Sequence, residues 1–226
     1  MSRTGWEHHT NASLRLFAEL GVALDFSAVP GRRTSGFRVA GAALVHEFKD
    51  WAGSPEHPYR PSAADYRRPA RPGEEQLDIW EVPKAAFRSP LWRAMSALRS
   101  AVRALRTADP SKVFAGPAWH SGLNTAGLAT HPRIFRYIAS QKMAEAAREG
   151  RALLSTSFHA DELLPGGTKL TDASHLSANL RGLLTMAERR GVRVSFVTAS
   201  EVHAALSEDP AAFGAQTAAS EAGERP

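Results

Sequence analysis

The sequence predicts an α/β fold, and three observations carry that prediction. Apolar runs of strand character alternate with segments of helical period along the chain. The last units, from ALLSTSFHA to VRVSFVT, run in the order strand, loop, helix, strand, which is the order of a βαβ crossover between parallel strands. The chain has 226 residues, 43% of them hydrophobic and 23% charged, enough for one domain with its own core.

Taken in order, Asn11 is the expected N-cap of a short helix, ASLRLFAEL, whose Leu14, Phe17 and Ala18 share a face, and Gly21 stands where a glycine would end it. VALDFSAV reads as a strand stopped by Pro30-Gly31, and GFRVAGAALV as a second strand weakened by its glycines. Residues 50–75 carry five prolines and three aromatic residues, a composition that predicts a long ordered excursion with a functional role. LDIWEVP is the next strand, closed by Pro83, and residues 112–132 read as a loop. Arg133–Glu149 is a helix ending at Gly150, and Ser174–Arg190 a helix with a stripe of Leu176, Leu180, Leu183, Leu184 and Ala187, ended by Gly191. ASEVHAALS makes a last short helix, so residues 1–208 form the folded portion and 209–226 a disordered tail.

Composition excludes several functions. With no cysteine there is no disulfide, thiolate metal site or cysteine nucleophile. No apolar run is long enough to cross a bilayer, and the opening residues have no apolar signal core, which favours the cytoplasm. The net charge of +5 is concentrated between Lys84 and Ala108, which holds Arg88, Arg93, Arg99, Arg103 and Arg106 and no acid. Trp92, Met95, Leu98, Val102 and Leu105 recur beside them at helical spacing, so an amphipathic surface helix with a solvated arginine face is preferred to a nucleic-acid site. Phosphate-cradling glycine loops and the serine nucleophile elbow are both absent.

Few residues stand out for chemistry. His159 ends a strand-like run and opens a loop, where an imidazole suits proton transfer, with Asp161 and Glu162 beside it. His8 and His9 are adjacent and point apart on an extended chain; with His46, Glu47 and His120 they lack tight metal-ligand spacing. Asp50, Trp51, Tyr59, Tyr66 and Trp80 place a carboxylate and four rings in or beside the proline-rich excursion, where they are candidates for contact with sugar rings.

The pattern as a whole resembles the polysaccharide deacetylases of the NodB-like superfamily, relatives of carbohydrate esterase family 4. The resemblance rests on RTGW with HHTNASLRLFAELGVALDFS, on DWAGSPEHPYRPS followed by IWEVP, and on SFHADELLPG followed by GVRVSFVTASEV. It implies a partial or distorted (β/α)7 barrel and metal-dependent hydrolysis of the N-acetyl amide of an amino sugar or polysaccharide. Zn²⁺ or another divalent metal would be the cofactor and a glycan the substrate. By position Arg3 matches the arginine that supports the catalytic carboxylate, His159 the late histidine that acts as acid, and Trp6 and Asp25 residues that line or brace the cleft. The family's metal-binding aspartates and histidines precede the arginine motif, and here the chain opens almost at that motif. The expectation is therefore a domain short of its N-terminal strands, inactive alone unless completed. The alternative is a non-catalytic carbohydrate-binding relative that uses the aromatic excursion.

Overall fold

The computed structural model describes residues 9–40, 43–88, 123–125, 127–128, 130–157 and 173–216, together with Ala94, Leu98 and Val102. Over these residues the chain is mixed α/β, with four helices, three two-stranded sheets and no closed barrel among them.

Helix α1, Asn11–Glu19, starts one residue earlier in chemistry than the sequence suggests. Thr10 is the cap: its side chain accepts from Ser13 N, and the Ser13 hydroxyl accepts from Thr10 N, closing a capping box. Asn11 has a different task. Its amide donates to Ala64 O at 2.6 Å and accepts from Tyr66 N at 2.9 Å, tying α1 to the proline-rich excursion. Gly21, with φ 74°, turns the chain out of the helix.

Strand β1, Leu24–Asp25, pairs in parallel with β4, Trp80–Glu81, so that Leu24 faces Trp80 and Asp25 faces Glu81. Bonds from Trp80 N to Ala23 O, Val82 N to Asp25 O and Lys84 N to Ala28 O extend the ladder beyond the strands at 2.8–2.9 Å. Between them the chain forms a hairpin of β2, Arg33–Ala40, and β3, Ala43–Asp50, in register from Arg33↔Asp50 to Ala40↔Ala43. The sequence suggested a single strand here; instead the chain doubles back between Ala40 and Ala43. Strand β5, Ala86–Arg88, pairs antiparallel with β6, Leu123–Thr125, which lies inside the segment expected as loop.

Both faces of the β1–β4 pair are covered, as a parallel pair requires. Leu24, Trp80 and Val82 pack with Val202 and Leu206 of helix α4, Ala199–Glu208. On the alternate face Ile79 joins Leu14 of α1, Ala28, Trp51, Leu77 and Tyr66. A third cluster holds helix α2, Pro132–Glu149, against helix α3, Ala173–Arg189, through Ile134, Phe135, Ile138, Leu183 and Ala187.

Two expected strands, the first of which runs on past the described residues, are not paired as such among those residues. Residues 151–157 make one bridge, Gly127↔Ser157, and one bond to the β4 side, Ala85 N to Ser155 O at 3.0 Å. Residues 192–198 have no ladder among the described residues. Val192 and Val194 pack on the α2–α3 cluster, while Phe196 and Val197 are 71% and 51% exposed. Among the described residues, the expected crossover has its helix, α3, without the flanking ladder.

The segment expected as a disordered tail begins as structure. Ala212–Gly214 form a 3-10 turn, Ala212 and Ala215 are buried, and Gln216 bonds to Pro58 O at 2.8 Å and to Arg60 N at 3.2 Å. Of the basic segment, Lys84 and Ala85 are buried, Ala86–Arg88 form β5, and Ala94, Leu98 and Val102 are helical and exposed; the rest of it lies outside the described residues.

Candidate functional site

The in-register pairing of β1 with β4 puts two carboxyl groups side by side in the interior. Asp25 and Glu81 are both fully buried. Asp25 Oδ2 accepts from Ser27 N at 3.0 Å and from His9 Nε2 at 3.1 Å. Glu81 Oε1 accepts from Ala28 N at 2.8 Å. No donor reaches Glu81 Oε2 among the described residues. Burial first, and then the negative charge of Asp25, push the Glu81 carboxyl well above the usual carboxylate range. Burial beside Asp25 therefore favours the protonated form of Glu81, with its proton toward Asp25.

His9 is held as firmly as the acids. Its Nδ1 lies 3.1 Å from the Ser13 hydroxyl, and its ring meets Phe17 and Trp51 edge to face at 5.6 and 6.0 Å. Tyr59, also fully buried, donates its hydroxyl to Tyr66 O at 3.0 Å, while its backbone pairs with Glu81 in both directions. Burial, then the Glu81 charge, raise its phenol well above its usual value. Tyr66 donates to Asp50 O at 3.1 Å, and burial followed by the charge of Asp50 takes its phenol up to about 12. Asp50 also accepts from Arg67 and from Ala52 N.

An open cleft of about 510 Å³ lies where the chain leaves the two parallel strands. Its wall is made by Pro30-Gly31 after β1, Ala85–Phe87 after β4, Ala52, Ser54 and Glu56 of the excursion, and one face of α2 bearing Tyr137, Ile138, Gln141, Lys142 and Glu145. Gly31 is required at its position by a φ of 77°, and its N–H donates to Trp51 O at 2.8 Å. At the α2 side Lys142 Nζ contacts both Glu145 oxygens, at 3.1 and 2.8 Å, and His57 Nδ1 stands 3.5 Å from the same carboxylate.

Of the residues expected at a site, Asp25, Asp50, Trp51 and Tyr59 are all buried, and none of them lines this cleft. The four rings considered as a sugar platform, Trp51, Tyr59, Tyr66 and Trp80, are each at most 8% exposed and pack inside the protein. Their number in a proline-rich stretch signals a second small core, under α1, as much as a binding loop. Arg3, Trp6, His159 and Glu162 lie outside the described residues, as do His8 and His120. The sequence reading missed Glu81 and set His9 aside. The available signal for His9 was the Thr10-x-x-Ser13 box, which makes it the residue before the cap, a position that packs inward against the first turn.

A divalent ion does not fit the described residues by themselves. Among them no three His, Asp or Glu side chains come together as a ligand group, and His9, Asp25 and Glu81 are engaged with one another and with backbone amides. Among the described residues no helix is long and apolar enough to cross a membrane. No family model, curated protein or solved structure matches the chain.

Proposed function

We propose that the chain is an amino-sugar or polysaccharide N-deacetylase-like domain, built on a partial or distorted (β/α)7 barrel, that works on a glycan at the ends of β1 and β4. The observation that carries this reading is the cleft formed by the segments leaving two adjacent parallel strands, the end at which barrel enzymes place their sites. The resemblance in sequence supplies the reaction, since an open α/β cleft alone would serve many.

In this reading the cleft walls hold the sugar, and the buried Asp25–Glu81–His9 set fixes the strand ends from which those walls spring. His159 gives its proton to the amine nitrogen as the acetyl C–N bond breaks, water having added to the carbonyl carbon. Metal assistance belongs to the resemblance, since the described residues offer no ligand set for an ion. The test is acetate release from N-acetylated chitin oligosaccharides with divalent metal supplied. Protein completed with the family's N-terminal metal-binding strands releases acetate, and His159→Ala in that protein lowers the rate by about 100-fold or more, the usual contribution of a general acid. Absence of acetate from every N-acetylated sugar tried overturns the reading, and a fully active His159→Ala overturns the role of that histidine.

A further inference from the structure

We infer that the α2 side of the cleft is a subsite for a neutral sugar unit, with Tyr137 as its platform and Gln141, Lys142 and Glu145 as partners for hydroxyl or acetamido groups. The inference rests on the carbohydrate reading above and adds to it a place and a chemistry of recognition.

Three features of the cleft point to this class of ligand. First, the ring of Tyr137 is 49% exposed and lies 4.6 Å from that of Phe87, so an aromatic wall is available beside the opening. The aromatic residues of the proline-rich excursion are buried and offer no such face. Second, positions 137, 138, 141, 142 and 145 recur at helical spacing on one face of α2, so a rigid element presents the wall and the polar groups together. Third, the charged groups are already balanced. Lys142 holds both oxygens of Glu145, and these side chains are only 13% and 11% exposed. A carboxylate or phosphate ligand would have to break that pair. A neutral ligand that both donates and accepts can add to the remaining ammonium hydrogen and the remaining carboxylate lone pairs without breaking it. Gln141, exposed at the same face, has both donor and acceptor atoms. The volume of about 510 Å³ falls within the range of small-molecule sites, roughly 300–1,000 Å³.

The probe is N,N′-diacetylchitobiose, titrated into the protein and followed calorimetrically or by ligand-observed NMR. Wild-type protein binds it saturably, Tyr137→Ala weakens binding about 10-fold or more, Tyr137→Trp retains it, and Gln141→Ala weakens it. Both positions face solvent, so each variant keeps the wild-type thermal midpoint. No saturable binding by wild type, or equal binding by Tyr137→Ala, overturns the subsite. The acetate assay reports separately. Acetate release without chitobiose binding removes the subsite and leaves the deacetylase reading; binding that depends on Tyr137, with no acetate from any substrate, keeps the subsite and removes the reaction.

Discussion

Folding favours the protonated form of Glu81 over its form in the unfolded chain, and that difference makes one side chain a determinant of stability. Its folded pKa lies above the ordinary value of 4.5, so the folded state binds the extra proton at every pH between the two values. Its contribution is fully present below about pH 4.5 and is lost as pH rises toward the folded pKa. Glu81→Gln keeps an oxygen for the Ala28 amide and can donate to Asp25 without a proton to lose. The variant should therefore melt higher than wild type at pH 8 and show a flatter dependence of thermal midpoint on pH from 5 to 8. An unchanged slope would assign that dependence to another group. Little of this set was legible in the sequence. Asp25 stood out only through the resemblance. The importance of Glu81 arises from being opposite Asp25 in register, which no local pattern encodes.

Helices were legible to within a residue or two because their signals are local. Gly150 and Gly191, at φ 80° and 64°, end α2 and α3 where the sequence places them. Thr198 and Glu201 form the box that opens α4. Strands fared less well. Residues 192–198 have the apolar content of a strand but no ladder among the described residues, since a strand is defined by its neighbour and not by its own side chains. At α1 the division of labour between Thr10 and Asn11 can be measured. Thr10→Ala should cost about 1 kcal/mol through loss of the cap. Asn11→Ala leaves the cap intact and instead frees Ala64 O and Tyr66 N, so it should raise hydrogen exchange at Tyr66 more than in α1 itself. Equal exchange at Tyr66 in wild type and Asn11→Ala would show that the tether does not hold the excursion.

Across the whole molecule, the three clusters of buried residues are joined through the β1–β4 pair and the segments leaving it. Residues 209–216 belong to this assembly, although their alanine- and glycine-rich composition reads as tail. Removing residues 209–226 strips Ala212 and Ala215 from the α4 cluster and two backbone bonds from residues 58–60. A loss of roughly 2 kcal/mol follows from two hydrogen bonds at about 1 kcal/mol each. For a chain of this size that lowers the thermal midpoint by roughly 4–8 °C. A truncated protein that melts with the full chain would show that the packing contributes nothing. The bridge between Tyr59 and Gln216 has one more consequence, in the order of synthesis. Tyr59 flanks β4, and its partner follows far along the chain, so the surroundings of Glu81 are completed only after Gln216 has left the ribosome. Until then the nascent chain carries an unfinished edge beside β4, and its maturation waits on the segment around Gln216.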